Sequence, residues 1–313
     1  MLDFSTTAFL FPGQGSQAVG MGKDLAEAYP IAKATFEEAD DIMGVALSNM
    51  MFEGPDDALG DTAITQPAMY VHSVALLRVL WDVMPDAKPA FVAGHSLGEF
   101  TALTAAGTLD FAEGVALVQK RGEAMKLAGE QQPGGMAALL GLSIEATDTV
   151  IAEASASGVI VIANDNCPGQ VVISGEQSAL DVAVEIAKDN GAKRAIPLDV
   201  SVATHSPLMQ PAKEAFVEAL ANITLFAPAM PIYQNVSAQA ETDLAKIKEN
   251  LELQIVSSVR WRESMNAMIE DGAETFVEVG SKSVLTGLLR RIDRSKDRIN
   301  VEDVQSLQDF IAK

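Results

Sequence analysis

Val92-Ala93-Gly94-His95-Ser96-Leu97-Gly98-Glu99-Phe100 is the stretch on which the reading of this chain turns. It contains Gly94-x-Ser96-x-Gly98, the pattern of a strand that ends, turns sharply and enters a helix with a serine at the tip. The flanks agree. Pro89-Ala90-Phe91-Val92-Ala93 predicts a short, buried parallel strand, and Leu97 to Ala106 predicts a helix of small and apolar residues. A serine held in a strained turn needs neighbours without bulky side chains, which the two glycines supply. The turn also aims backbone N–H groups and a helix N-terminus at the serine oxygen, which suits a developing oxyanion. Ser96 is therefore a candidate nucleophile.

Upstream, Thr7-Ala8-Phe9-Leu10-Phe11 predicts a central strand running into Pro12-Gly13-Gln14-Gly15-Ser16-Gln17, a Gly-rich turn. A Walker phosphate loop is excluded, because no Gly-Lys-Ser/Thr follows at the required offset. Gly13-x-Gly15-x-x-Ala18 fits the looser dinucleotide fingerprint, but no second strand ending in a ribose-binding acid follows the helix expected from Asp24 to Ile42. The turn then marks the carboxyl edge of a sheet, with Gln14 and Gln17 as polar groups near Ser96. Thr65-Gln66-Pro67 predicts the start of a helix to about Val83, with Pro67 in its first turn and His72 as a packed core residue. Asp110 with Glu113 caps a helix running to about Ala128 that carries Lys120 and Arg121.

Between Pro133 and Pro197 the predicted order is strand (136–141), helix (144–156), strand (159–163), turn (164–169), strand (170–174), helix (176–190), strand (192–196). This β-α-β-β-α-β order is ferredoxin-like. Cys167 falls in its turn as an incidental loop residue. His205 stands at a loop-to-helix junction between small residues, a place from which an imidazole can reach a pocket. Strand and helix then alternate again: strands at 230–235 and 274–278, helices at 243–253, 261–270 and 283–292. Such alternation implies a mainly parallel sheet covered by helices. The expected architecture is α/β: a large domain from 1–131 and 198–313, with a small domain, 132–197, inserted into it.

Composition narrows the function. The chain has 313 residues and a net charge of -21, which argues against nucleic acid as the main partner. The N-terminus shows no signal-peptide pattern and no apolar run is long enough to span a bilayer, so a cytoplasmic, membrane-free protein is expected. Cys167 is the only cysteine, which rules out an internal disulfide and fits a reducing compartment. Three histidines and one cysteine without ligand spacing predict no metal site.

Phe11-Pro-Gly-Gln-Gly-Ser-Gln17, Gly94-His-Ser-Leu-Gly-Glu99, Gln119-Lys-Arg-Gly122, Gly169-Gln-Val-Val-Ile-Ser-Gly175, His205-Ser-Pro-Leu-Met209 and Glu278-Val-Gly280 occur in this order. Together they make the chain resemble, nearly end to end, the malonyl-CoA:acyl-carrier-protein transacylases of type II fatty-acid synthesis. The resemblance implies an α/β-hydrolase-like large domain with a ferredoxin-like insertion. It implies Ser96 as nucleophile, His205 as base and Arg121 as the group that binds the malonyl carboxylate. It further implies that the backbone N–H groups of Gln14 and Leu97 form the oxyanion hole, and that the carbonyl of Gln254 orients the histidine. Malonyl-CoA and an acyl-carrier protein are the implied substrates, with no cofactor and a monomeric enzyme. One departure is Gly280-Ser281-Lys282, where the family often has Gly-Pro; a local turn difference is expected.

The residues make chemical sense in those roles. A serine is a weak nucleophile until an imidazole takes its proton, and the same imidazole can return the proton to a leaving thiolate. Arginine's planar fork matches a carboxylate and penalises acyl groups that lack one. Two other readings are open on sequence: another enzyme of the class (a serine hydrolase, or an acyltransferase for a different extender), and a non-catalytic nucleotide- or partner-binding protein. A hydrolase would place an acid before the histidine, and Asp199 is the candidate. For the carrier protein, the densest basic run is Arg290-Arg291-Ile-Asp-Arg294-Ser-Lys296-Asp-Arg298 with Lys282 nearby. Docking near Arg290 and Arg291 is one expectation; a solvated helix end is the other.

Overall fold

The computed structural model describes residues 2–200 and 202–313. Among the described residues there are ten strands: β1 (Thr7–Phe11), β2 (Phe91–Gly94), β3 (Gly135–Leu140), β4 (Ile160–Cys167), β5 (Gln170–Gly175), β6 (Arg194–Pro197), β7 (Ile232–Tyr233), β8 (Ala240–Glu241), β9 (Thr275–Val279) and β10 (Asp297–Val301). They form a six-stranded sheet in the order β10-β9-β1-β2-β7-β8 and a four-stranded sheet in the order β4-β5-β3-β6. In the larger sheet every pairing is parallel except β7 with β8.

β1 shows why the larger sheet sits between helices. Its residues are buried throughout, but alternate side chains face opposite ways. Phe9 and Phe11 join the main core with the Thr62–Val83 and Phe111–Gln131 helices, whereas Ala8 and Leu10 join a second core with Trp261, Met265 and Leu289. A parallel strand buried on both faces reads as one continuous apolar run, which is what the sequence shows. Phe11 pairs with Gly94, so the Gly-rich turn after β1 and the serine turn after β2 leave the sheet side by side.

The smaller sheet is entirely antiparallel, and the Ile144–Ala154 and Gln177–Asp189 helices pack on it around Leu139, Val150, Ile173 and Leu180. Its strand order and connections are those of the ferredoxin-like motif. It is stitched to the larger unit along β4, where its register with β5 shifts: Val259 N–H donates to the Ala163 carbonyl (2.8 Å) and Asp165 N–H to the Val259 carbonyl (3.0 Å). Arg262 grips the Asp165 carboxylate through Nε and Nη2 at 2.7–3.0 Å.

Several expected elements differ in detail. The helix expected over 24–42 is two helices, Lys23–Ala28 and Pro30–Met43, because Tyr29 before Pro30 is extended. The next long helix begins at Thr62, capped by the Asp61 side chain, so Pro67 lies inside the helix and not in its first turn. Residues 164–167, expected as a turn, belong to β4. Cys167 is thus the buried end of a strand, and not an incidental loop residue. The strand expected over 230–235 shrinks to Ile232–Tyr233. β8 and β10 have no counterpart among the expected elements; β10 starts at the end of the basic run, whose charges mask its alternation. At Gly280-Ser281-Lys282, Gly280 and Lys282 take positive φ (149° and 64°) between β9 and the Val284–Ile292 helix. Among the described residues no helix is long and apolar enough to cross a membrane, and no cluster of acids, histidines and cysteine has metal-holding geometry.

Candidate active site

The serine turn is as tight as its sequence predicts. Ser96 has φ 51°, the left-handed region that costs a side chain energy. A Cβ on Gly94 would lie 1.9 Å from the Gly98 carbonyl carbon, and one on Gly98 would lie 2.0 Å from the Phe11 carbonyl oxygen. Only glycine lets the helix start so close to both strand ends. Asn235, just past β7, fastens the turn: its Oδ1 accepts the Ser96 N–H at 2.7 Å and its Nδ2 donates to the Gly94 carbonyl at 2.7 Å.

His205 arrives from a loop 109 residues away, and its Nε2 lies 2.9 Å from Ser96 Oγ. It too has positive φ, 59°, and its backbone N–H donates to the Ile255 carbonyl at 3.0 Å. Its Nδ1 faces two carbonyl oxygens, Gln254 at 2.9 Å and Ser257 at 3.0 Å. Carbonyls only accept, so Nδ1 carries the proton and Nε2 presents its lone pair to the serine hydroxyl. Burial, and secondarily the Arg121 cation, push the His205 pKa down to about 3, so the free ring is neutral in the physiological range.

Arg121 is fully buried on the Phe111–Gln131 helix. Its Nη1 donates to Gln66 Oε1 at 2.6 Å, and its Nη2 to Gln254 Oε1 at 3.0 Å and Ser96 Oγ at 3.2 Å. Its Nε has no partner among the described residues. Burial pulls its pKa down to about 10, against the pull of the Glu99 carboxylate. It therefore remains a cation at neutral pH.

A cavity of about 880 Å³ opens over these groups, with Gln14, Gln17, Ser96, Leu97, His205 and Lys282 among its walls. Leu97 opens the Gly98–Ala105 helix in αR geometry, and the Gln14 side chain donates to Thr62 Oγ1 at 3.3 Å. His95 also lines the cavity, held at Nε2 by Asn166 Oδ1 (2.8 Å), and thus ties the serine turn to β4. His72, by contrast, is sealed in the core, as its apolar helix predicts. Asp199 is exposed on the cavity rim, and the histidine's Nδ1 is taken by carbonyls, so no carboxylate stands where a hydrolase triad would place one. The basic run is partly spoken for: Arg291 donates to the carbonyls of Pro168 and Gly169 and to Gln170 Oε1, and Lys296 pairs with Glu274 at 2.8 Å.

The site also contains residues that sequence reasoning passed over: Gln66, Glu99, Asn235 and Ser257. Glu99 lay within the quoted motif and, three residues after the serine on a helix, had the spacing to point the same way. Asn235 and Ser257 gave no local signal, since a carbonyl acceptor and a polar strand end look like any others.

A parallel α/β sheet with a serine–histidine pair on its carboxyl edge, backed by carbonyls and a buried arginine in place of a third acid, defines a serine-dependent acyltransferase. The family model of the acyl transferase domain matches residues 8–308. The malonyl CoA-acyl carrier protein transacylase of Bacillus subtilis is 46% identical over 305 residues, covering 97% of this chain and 96% of that protein. The crystal structure of an acyl carrier protein S-malonyltransferase from Vibrio cholerae superposes with a TM-score of 0.93 at 44% identity, covering 97% of this chain and 99% of the other. A malonyl-transacylase solved in complex with a type II polyketide-synthase acyl-carrier protein gives 0.93 at 40% identity, covering 96% and 97%. The chain belongs to the malonyl CoA-acyl carrier protein transacylase family.

Proposed function

We propose that the protein moves a malonyl group from malonyl-CoA to the phosphopantetheine thiol of an acyl-carrier protein, through a malonyl ester on Ser96. The observation that carries this reading is the convergence on one oxygen: Ser96 Oγ lies 2.9 Å from His205 Nε2 and 3.2 Å from Arg121 Nη2. In the first half-reaction Ser96 Oγ attacks the thioester carbonyl while His205 Nε2 takes its proton. The backbone N–H groups of Gln14 and Leu97 receive the oxyanion, His205 returns the proton to the departing thiolate, and CoA leaves. The carrier thiol then repeats the sequence in reverse. Arg121 holds the malonyl carboxylate. The Arg121 cation is one cause of the weak basicity of His205, so pairing it with a carboxylate also makes the imidazole a better base. The carbonyls of Gln254 and Ser257 hold the ring tautomer that a buried aspartate holds in hydrolases.

In this reading the two substrates suffice without a cofactor, and residues 132–197 form a small domain inserted in a large one built from 1–131 and 198–313. A monomer suits a site whose residues all come from one chain, and a single buried cysteine suits the cytoplasm. For carrier docking, Arg291 is committed to the β4–β5 turn, so the cations left for an acidic partner include the exposed Arg290 and Arg294 and, on the cavity wall, Lys282. Intact-mass measurement after mixing with malonyl-CoA tests the reaction. A malonyl adduct on the wild type, absent from Ser96→Ala, is expected. Free malonate without an adduct, or no reaction, would overturn it.

A further inference from the structure

Glu99 is a carboxylate that the proposed reaction leaves unused, and it is 1% exposed. Its Oε2 accepts the Asn235 N–H at 2.9 Å and Gln254 Nε2 at 3.0 Å, and its Oε1 accepts Gln234 Nε2 at 3.3 Å. Gln254 turns its other end, Oε1, to Arg121 Nη2 at 3.0 Å. One neutral amide therefore separates a buried carboxylate from a buried guanidinium. Among the described residues no carboxylate bonds Arg121 directly.

We propose that Glu99 is the resident countercharge of Arg121, held one side chain away by Gln254 so that the guanidinium stays open to a carboxylated acyl group, and that it thereby sets how tightly that group is held. The assignment rests on the malonyl-transfer reading above. A buried cation with no counterion is costly, whereas one paired directly with an internal acid has no edge left for substrate. The spacer resolves the conflict. Glu99 balances the charge at a distance and, carrying the same sign as the incoming carboxylate, weakens its binding enough for turnover. Burial raises the Glu99 pKa to about 7, against its three hydrogen-bond donors and the Arg121 cation. Arg121 is the charged group acting on it; Asn235, Gln234 and Gln254 are neutral, and the free His205 ring is neutral above about pH 3.

The test compares KM for malonyl-CoA and acetyl-CoA in the wild type and Glu99→Gln, at pH 8 and pH 6. At pH 8 the variant should favour malonyl-CoA, with the acetyl-to-malonyl KM ratio up on the order of tenfold, because the substrate carboxylate becomes the only counterion in the site. The wild-type ratio should rise as pH falls from 8 to 6 and Glu99 takes up its proton, approaching that of the variant. A packing defect does not tighten binding of one substrate, and a ratio taken on one preparation does not depend on its folded fraction. The wild-type arm needs no variant at all. An unchanged or lowered ratio in Glu99→Gln, or a wild-type ratio that does not move with pH, overturns the assignment. A wild type that acquires no malonyl adduct refutes the reaction itself; one that loads while its ratio stays put refutes the role of Glu99 alone.

Discussion

Replacing Arg121 by alanine separates its role in choosing the acyl group from its role in packing. The substitution removes a fully buried guanidinium and its hydrogen bonds to Gln66 Oε1, Gln254 Oε1 and Ser96 Oγ. For a malonyl thioester the loss is that of one partner of a buried charge pair, about 2–5 kcal/mol. At tenfold per 1.4 kcal/mol, malonyl kcat/KM should fall by roughly thirtyfold to several thousandfold. An acetyl thioester brings no carboxylate, so it loses none of this. It gains instead, because the cation that helps depress the His205 pKa is gone and the imidazole becomes a stronger base. Stability pays separately: two amide oxygens are left without their donor, at about 1–3 kcal/mol each, an upper bound if water enters the space. Rapid-quench measurement of acyl-enzyme formation with malonyl-CoA and acetyl-CoA reads the first effect, and thermal melting the second. The malonyl-to-acetyl ratio of kcat/KM should collapse or invert. Equal losses for both substrates would mean that Arg121 only supports the site, and the carboxylate clamp would have to be sought elsewhere.

Further outcomes follow from other parts of the molecule. Gly98→Ala places a Cβ 2.0 Å from the Phe11 carbonyl oxygen, so it should cost about 3 kcal/mol or more and abolish acylation; a variant that melts and reacts like the wild type would refute the close approach. Burial lowers the His72 pKa to about 4, so the unfolded chain binds its proton first as pH falls below 6.5. Folded stability is therefore lost on acidification through that window, and His72→Leu should recover about 2 kcal/mol of the loss at pH 5 in denaturant titrations, relative to pH 8. An equal loss in wild type and variant would contradict this. Arg290→Glu with Arg294→Glu should raise KM for the carrier protein while leaving self-acylation by malonyl-CoA within about twofold, since neither residue lines the cavity and only the second half-reaction meets the acidic partner. Measuring both half-reactions at low and moderate salt decides it, and equal effects on the two would point to a damaged site.

Short-range physics was legible in the chain as written. The serine turn, its helix and the strand before it are dictated by Gly94, Gly98 and the apolar run to Ala93, because steric exclusion acts between residues a few positions apart. The β-α-β-β-α-β order of 133–197 likewise follows from local periodicity. The ordered motifs contain Ser96, His205 and Arg121, and the resemblance they carry implies Gln254; the fold brings these four within hydrogen-bonding reach of one another. Where local signals compete, sequence and structure part: Pro67 suggests a first turn yet is absorbed inside a helix capped at Asp61, and the charges around β10 hide an edge strand.

What only the tertiary structure decided is how distant, ordinary-looking residues close on the serine. Asn235 reaches Ser96 across 139 positions, and Gln254 reaches Glu99 across 155. Nothing in the local sequence marks a carbonyl of Ser257 as the second acceptor for His205, or Arg291 as a strut to the β4–β5 turn in place of a free docking cation. Hydrogen bonds of this kind depend on sheet order, which sets which strand ends lie side by side. That order is chosen by burial of the whole core, and no window of the sequence contains it.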